Sequence, residues 1–372
     1  MGGDWGLRRE GEPGRRARYC KTGGIYGKMK PNKGEVRGLK RILALLCAAL
    51  LLAGCGAVRE QDYAAFAPEE SKRLNIYTSH KAEVYEPIIR EFEQRTGIWV
   101  DITADGTETL LEAIAAGDSG CDLMLGGGAD SLSAFGEYFQ SYAGAEKAIV
   151  ENKFLDPEDR WSPFSALPVV LVYNPVLVRV NPPEGWESLL DEAWKGKIAL
   201  ADPRVSGSGY TAVCTLLQAL PGGERETLER LIENLDGTIM PDSGDVIGRI
   251  SEGKSFLGVT LEETALKAIA AGYDIAIVYP KEGTSALPDG AAIVKGCSHQ
   301  KNAEMFIDFI QGKDVQSRLA ERFCRRSVRS DVSLPAYMPE NVALIDYDLE
   351  RAGAGKTEIL ALWTELMGES GL

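Results

Sequence analysis

Short apolar runs alternate with segments of helical periodicity along this chain, and that alternation constrains its fold more than any other feature. From residue 74 the sequence predicts three strands separated by two helices, at 74–77, 83–96, 99–102, 110–116 and 122–125. Such alternation is typical of an α/β fold with an open, mostly parallel sheet. Ligands of such sheets sit at the carboxyl ends of the strands. These strands end in three polar segments: 78–80, 104–107 and 126–130.

A Ser- and Gly-rich segment, 202–210, follows the predicted strand 197–201 and precedes the predicted helix 211–220. The first amides of a helix lack intrahelical partners, and the helix dipole is positive there, so an anion is stabilised. Glycines let a ligand approach the backbone, and serine hydroxyls add donors. The candidate ligand contacts are Ser206, Gly207, Ser208, Gly209 and Tyr210. The alternatives are an ordinary N-cap serine and a tyrosine that packs against the protein.

The distribution of charge argues against nucleic acid as a partner. The 372 residues, enough for two domains, carry a net charge of −14. Residues 1–54 hold 12 of the 41 Lys and Arg and only 4 of the 55 Asp and Glu, so the remainder carries −22. An acidic body offers no basic stripe to replace the counterions of nucleic acid.

The amino terminus predicts export and lipid anchoring. A basic flank at 37–41 precedes the apolar run 42–52, which is too short for a comfortable membrane span. The run ends in Leu52-Ala53-Gly54-Cys55, which resembles the bacterial lipoprotein processing box. That resemblance implies cleavage before Cys55, lipidation of Cys55, and a location on the extracytoplasmic face of the cell membrane. An ordinary secretory signal with a chance cysteine is the alternative.

Cysteine and histidine usage gives no support to a metal site or a catalytic centre. The seven cysteines show no Cys-x-x-Cys spacing, and the two histidines are His80 and His299. Neither histidine lies near a Gly-x-Ser-x-Gly motif, and the segment 206–209 lacks a candidate base. We therefore expect no metal, no cofactor and no enzymatic activity.

Six stretches of the body, in order, carry a family resemblance: Ile76–Ser79, Phe92–Ile98, Gly126–Ser131, Trp194–Ile198, Asp202–Thr211 and Val278–Thr284. They resemble the extracellular solute-binding proteins of ABC importers. The nearest group contains ferric-ion-binding proteins and their relatives for phosphonates, sugar phosphates, thiamine and polyamines. The resemblance implies a type II periplasmic-binding-protein fold with two α/β lobes, a two-segment hinge and ligand closure between the lobes.

On this basis the chain divides into a leader at 1–54, a tether at 55–73 and two lobes. Lobe 1 is predicted at 74–168 plus 282–372, and lobe 2 at 169–281. The β-rich segments 165–173 and 275–284 are predicted to connect the lobes.

The leading hypothesis is a monomeric, lipid-anchored protein that captures a small solute and delivers it to the permease subunits of an ABC importer. An organophosphate, phosphonate or similar oxyanion is the favoured ligand, because hydroxyls and backbone amides bind phosphate well. Thr78, Ser79 and Thr107 are expected to face the Ser206–Tyr210 segment from the other lobe. Ser243 is expected to add a second helix start.

Three alternatives remain open. A cationic solute such as a polyamine would pair with Glu262, which otherwise is the first-turn acid of a helix. Ferric iron held through a chelate is the second alternative. Direct iron binding is doubtful, because His80 lies near the family's histidine position but 258–263 lacks its tyrosine pair. A sensory ligand-binding protein is the third alternative.

We expect a lone His80 to be a cap or surface residue, and Asp130 to be the cap of a helix that begins at Ser131.

Overall fold

The computed structural model describes residues 68–117 and 120–369, and the chain from Pro68 onward forms one compact unit. The described residues form ten strands, eleven α-helices and several short 3₁₀ helices. The strands are β1 Arg73–Thr78, β2 Trp99–Ala104, β3 Leu123–Gly128, β4 Phe139–Gln140, β5 Ser162–Tyr173, β6 Ile198–Ala201, β7 Ile239–Met240, β8 Leu257–Leu261, β9 Ala276–Val278 and β10 Ala286–Val294. The helices are α1 Ala82–Thr96, α2 Thr107–Ala115, α3 Ala129–Ala134, α4 Gly207–Ala219, α5 Glu224–Leu235, α6 Ser243–Ser251, α7 Glu262–Ala270, α8 Gln300–Gln311, α9 Lys313–Phe323, α10 Leu349–Ala354 and α11 Lys356–Glu369.

The predicted leader, the Cys55 lipid site and the tether up to residue 67 lie outside the described residues. Among the helices that the structure describes, none is long and apolar enough to cross a membrane. Arg73, which the sequence assigns to the tether, already pairs with Trp99 as the first residue of β1.

The described strands form one sheet in the order β2-β1-β3-β10-β5-β8-β6-β7, with β4 beside β10 and β9 beside β5. Pairing is parallel at both ends, where β1 lies between β2 and β3, and β6 lies between β7 and β8. In the middle, β10 and β5 run antiparallel to their neighbours. Each end therefore has the predicted strand–helix alternation, and antiparallel pairing joins the two ends.

Alternating side chains give the β1 end of the sheet a packed layer on each face. Leu123 and Leu125 of β3 pack among residues of α1, α8 and α9. Met124, which lies between them, packs on the other face among residues of α2 and α3. We call these two layers together the first core.

The β6 end is built in the same way. Val169 and Leu171 of β5 pack among residues of α4, α5 and α11, whereas Val170 and Val172 pack among residues of α6 and α7. We call these two layers the second core. Both ends of the sheet are thus covered by helices on both faces, which is the α/β layering that the alternation predicts.

The chain runs between the two cores along β5 and again between β9 and β10. Residues 162–168 of β5 pair with β10, and residues 169–173 pair with β8. At the crossing, the Thr284 hydroxyl donates to the Val169 carbonyl at 2.6 Å, and the Val169 amide donates to the Ser285 carbonyl at 3.1 Å. The predicted connections, 165–173 and 275–284, overlap these two segments. The division into two lobes stays a prediction.

The C-terminal helix, α11, lies in the range predicted for lobe 1 but packs in the second core. Ile359, Trp363 and Leu366 of α11 belong to the second core, where α11 contacts α5. The preceding helix, α10, contacts α3 of the first core. Ala352 of α10 already belongs to the second core, so the chain crosses between the cores once more along α10. The apolar face of α11 determines this packing, and sequence order alone does not reveal it.

Candidate functional site

The Ser- and Gly-rich segment forms the first turn of α4, four residues earlier than the sequence predicts. Ser206 is the N-cap of α4, and its Oγ accepts a hydrogen bond from the Gly209 amide at 3.1 Å. The Ser206 and Ser208 hydroxyls lie 3.1 Å apart. Two donors and the free amides of the first helical turn are therefore gathered at one end of α4. The N-cap alternative for Ser206 is thus present in the structure, and it is compatible with ligand binding through the hydroxyl proton.

The polar strand ends of the first core approach one another closely because the glycines that follow Leu125 leave room. Gly126 and Gly127 belong to β3 and have φ of 107° and 85°. A Cβ on Gly126 would lie 2.6 Å from the Ser79 hydroxyl and 3.3 Å from the His80 ring. Only glycine adopts such φ angles readily, so this sequence brings the end of β3 against the end of β1.

A cleft of about 730 Å³ lies between these strand ends and the start of α4. The predicted site residues that line it are Ser79, Thr107, Ser206, Gly207, Ser208 and Tyr210. A larger depression, of about 1020 Å³, lies elsewhere, between the 181–194 segment and α5. None of the predicted site residues lines that depression. The cleft is therefore the candidate site.

The ring of Tyr210 packs in the second core, and its side chain is 2% exposed. Its hydroxyl donates to the Ala352 carbonyl at 2.5 Å, and burial raises the pKa of Tyr210. Tyr210 was open to two alternatives, contact with the ligand or packing against the protein. In the structure its ring packs against the protein, and an edge of the residue lies at the cleft wall.

Three other predicted contacts do not line the cleft. Thr78 is fully buried, and its hydroxyl accepts a hydrogen bond from the His80 amide at 3.2 Å. Gly209 lies against the carbonyl of Ala201 in β6. Ser243 is the first residue of α6 rather than its cap, because Asp242 accepts the capping bond from the Gly244 amide.

Glu262, the fourth residue outside the cleft, is neutralised within the protein. Its side chain is 1% exposed and accepts two hydrogen bonds from Arg326, at 2.7 and 2.8 Å. The Tyr279 hydroxyl donates to the same carboxylate at 2.5 Å. A carboxylate with these three donors has no need of a cationic ligand, so the structure favours an internal role for Glu262.

A buried cluster of three side chains, His80, Asp289 and Arg325, also lines the cleft. His80 is neither a cap nor a surface residue: its side chain is 6% exposed, and Nε2 lies 2.7 Å from Asp289 Oδ2. Its Nδ1 is buried without a hydrogen-bond partner among the described residues. Asp289 also accepts hydrogen bonds from the Ser165 amide and hydroxyl and from Arg325. Burial acts to raise the pKa of Asp289, but the charge of Arg325 and these hydrogen bonds outweigh burial and lower it.

Three further charged residues lie on the cleft wall formed by α2, α3 and α11. Lys356 of α11 contacts Glu108 of α2, with Nζ 2.5 Å from Oε1. Asp130 is buried in the first turn of α3, where it accepts from the Ser131 amide at 2.8 Å. It is not the N-cap, which is Gly128. Burial raises the pKa of Asp130, although the charge of Lys356 opposes this shift.

The cleft therefore offers hydroxyls, helix-start amides and side chains of both charges. Among the residues that the structure describes, no group of three or more His, Cys, Asp or Glu side chains is arranged to hold a metal ion. Patterns local in sequence could identify Ser206 and its neighbours. They could not identify His80, Asp289, Arg325 or Lys356, because the partners of these residues are remote in the chain.

Comparison with known proteins agrees with this architecture. The family model for bacterial extracellular solute-binding proteins matches residues 137–351, which is more than half of the chain. Iron uptake protein A1 of Synechocystis sp. is 25% identical over 308 residues, covering 76% of this chain and 83% of that protein. A Salmonella typhimurium protein, provisionally named as a 2-aminoethylphosphonate-binding periplasmic protein, is 24% identical over 265 residues, covering 67% of this chain and 75% of that protein.

Among solved structures, the periplasmic binding protein AfuA from Actinobacillus pleuropneumoniae, with fructose-6-phosphate bound, superposes with a TM-score of 0.72. The match is 23% identical and covers 80% of this chain and 98% of AfuA. This similarity confirms the predicted type II periplasmic-binding-protein fold. The chain therefore belongs to the bacterial extracellular solute-binding protein family, and it is an exported protein that binds a small solute for an ABC importer.

Proposed function

We propose that the cleft binds a small solute through an oxyanion, such as that of an organophosphate or phosphonate. The observation that carries this proposal is the exposure of the α4 helix start to the cleft, with the hydroxyls of Ser206 and Ser208 and the backbone at Gly207. The helix dipole and these donors stabilise a negative charge. Ser79 and Thr107 supply further hydroxyls from the first-core side of the cleft.

A second candidate is a cationic solute, or ferric iron presented as a chelate. The specific observation in favour of the cationic solute is the acidic wall formed by Glu108, Glu112 and Asp130. The similarity to iron uptake protein A1 is in keeping with this candidate. Glu262, which the sequence analysis offered to a cationic ligand, gives no support because Arg326 already neutralises it.

We further infer that the protein carries its ligand without changing it. The Ser206 and Ser208 hydroxyls hydrogen-bond with each other and with a backbone amide rather than with a histidine. Neither serine is thus activated as a nucleophile. Mass spectrometry of the solute before and after incubation with the protein tests this inference, and a changed mass would contradict it.

Titration calorimetry with a panel of solutes tests the choice between the two candidates. The panel consists of inorganic phosphate, fructose 6-phosphate, 2-aminoethylphosphonate, spermidine and ferric citrate. We expect binding to phosphate- or phosphonate-bearing members. A protein that binds spermidine or ferric citrate alone would favour the second candidate and would refute the first.

The double change Ser206→Ala, Ser208→Ala should weaken the affinity for the phosphate- or phosphonate-bearing solute that binds by about a hundredfold or more. Each hydrogen bond to a charged group is worth about 1.5–3 kcal/mol, and two are lost. Folding should change little, because loss of an N-cap costs only about 1 kcal/mol. Ser243→Ala is the matched control, since Ser243 lies at a helix start outside the cleft. Unchanged affinity in the folded double variant would place the site elsewhere.

We propose that the protein acts as a monomer held to the membrane by lipid on Cys55, with the residues after Cys55 serving as a tether. The support is the basic flank, the apolar run 42–52 and the lipoprotein-like box before Cys55. Cys55→Ser should move the protein from the membrane fraction to the soluble fraction. A wild-type protein that is already soluble and carries no lipid would disprove the anchor.

A further inference from the structure

The geometry points to Lys356 as a specificity-determining residue of the cleft. When the solute binds, the Lys356 ammonium leaves the Glu108 carboxylate and balances the charge of the ligand's oxyanion. This inference rests on the proposed function and deepens it. It implies that the solute carries at least one full negative charge at the α4 helix start. The sequence offers no sign of this role, because Lys356 opens an ordinary amphipathic helix about 150 residues after Ser206.

Lys356 lines the same cleft as the helix start that would hold the oxyanion. It is the first residue of α11, and its Nζ lies 5.6 Å from the centre of the Tyr210 ring. Tyr210 belongs to the first turn of α4, together with Gly207 and Ser208. An ammonium group at this position adds a full positive charge next to the partial charge of the helix dipole.

The other cations that line the cleft are already held by acids. Arg204 donates to both carboxylate oxygens of Asp202, at 2.9 and 2.7 Å. Arg325 is almost buried, with its side chain 8% exposed, and lies between Asp289 and Glu263. Release of either guanidinium would remove a cationic partner from a carboxylate whose side chain is at most 14% exposed, which is costly.

Lys356, by contrast, can change its partner at little cost. Its contact with Glu108 is formed by side chains that are 35% and 54% exposed. Exposed ion pairs contribute little because water solvates both charges when they separate. A hydrogen bond from the ammonium to an oxyanion in the cleft is a charge-assisted bond and is stronger than a neutral one.

The contact also joins the two cores. Lys356 is carried by α11, whose apolar residues belong to the second core, whereas Glu108 lies in the first turn of α2 in the first core. Glu108 therefore holds the ammonium in the cleft before the solute arrives. It also competes with the solute for that ammonium, so the Glu108 carboxylate lowers the affinity for anions.

Calorimetry on Lys356→Gln and Glu108→Gln tests the inference, with inorganic phosphate, fructose 6-phosphate and 2-aminoethylphosphonate as probes. Lys356→Gln should weaken phosphate or phosphonate binding by about tenfold or more and reduce its dependence on salt. Glu108→Gln should tighten binding a few-fold because it removes the competitor. Lys195→Gln is the matched control, since Lys195 forms an exposed pair with Glu233 outside the cleft.

The opposite directions expected for the two variants separate this role from a structural one, since loss of the contact alone would affect both alike. Unchanged affinity of Lys356→Gln, with the wild type binding a phosphate-bearing probe, would overturn the inference and leave the proposed function intact. Tighter binding by Lys356→Gln would also overturn it. A wild type that binds none of the three probes would refute the proposed function, and this inference with it.

Discussion

Gly207 and Gly209 belong to the same helical turn and are alike in sequence, but their surroundings differ. A Cβ on Gly209 would lie 2.5 Å from the carbonyl oxygen of Ala201 in β6, and a Cβ on Gly207 would have no heavy atom within 4 Å. Gly209→Ala should therefore force α4 away from β6 and lower the free energy of unfolding by about 1–3 kcal/mol.

Gly207→Ala is the control for that change. It should leave stability unchanged or raise it by up to about 1 kcal/mol, because alanine is the better helix former. Urea denaturation of both variants measures the difference. Equal stability of the two would mean that the start of α4 is not pressed against β6 as the structure has it.

At the same scale, sequence analysis locates side chains whose roles depend on near neighbours. Ser206 and Ser208 could be placed at a helix start because the strand, the turn and the helix follow one another directly. Glu262 and His80 could not be assigned, because their partners Arg326 and Asp289 are 64 and 209 residues away. The chemistry of a buried acid is determined by the cation that folding brings to it, and no local pattern contains that cation.

The helices and strands themselves follow local rules, so most of them could be predicted. The predicted helix 83–96 matches α1, which Gly97 ends in the left-handed conformation. The errors occur where tertiary packing overrides propensity. The sequence predicts that the third strand ends at Leu125, but the structure continues β3 through Gly126–Gly128, and Gly128 pairs with Asp289 of β10. The sequence also predicts a helix at 186–194, where the structure has two short 3₁₀ helices, Trp186–Leu190 and Glu192–Trp194.

Strand pairing over long distances was the least predictable feature at this scale. β10 lies between β3 and β5 although it is the last strand in the sequence. Its irregular pairing near Asp289 coincides with the point where that carboxylate reaches Ser165. Such irregularities often redirect a side chain next to a functional site. The sequence shows only a short apolar run at 291–294. The pairing partners of a strand are not encoded in its own pattern.

The whole molecule is organised by the two cores and the segments that run between them. Sequence analysis predicts these segments at 165–173 and 275–284, since β-rich runs bracket the middle of the chain. It does not predict that α11 joins the second core, because an amphipathic helix carries no mark of the surface it will cover. The contact between Lys356 and Glu108 depends on that packing, and so the site also could not be completed from sequence.

The two cores are joined by β5 and by the segment between β9 and β10, and a cleft lies between them. We expect this cleft to close when a solute bridges it. We expect the radius of gyration from small-angle X-ray scattering to fall when the wild type is saturated with the phosphate- or phosphonate-bearing solute that calorimetry identifies. The bound oxyanion would draw the α4 helix start toward Ser79 and Thr107, because it accepts hydrogen bonds from both sides. The Ser206→Ala, Ser208→Ala variant should show no compaction at the same solute concentration. Identical scattering from the free and saturated wild type would mean that the solute binds without hinge closure, and residues 165–173 and 275–284 would then be connections of a rigid body.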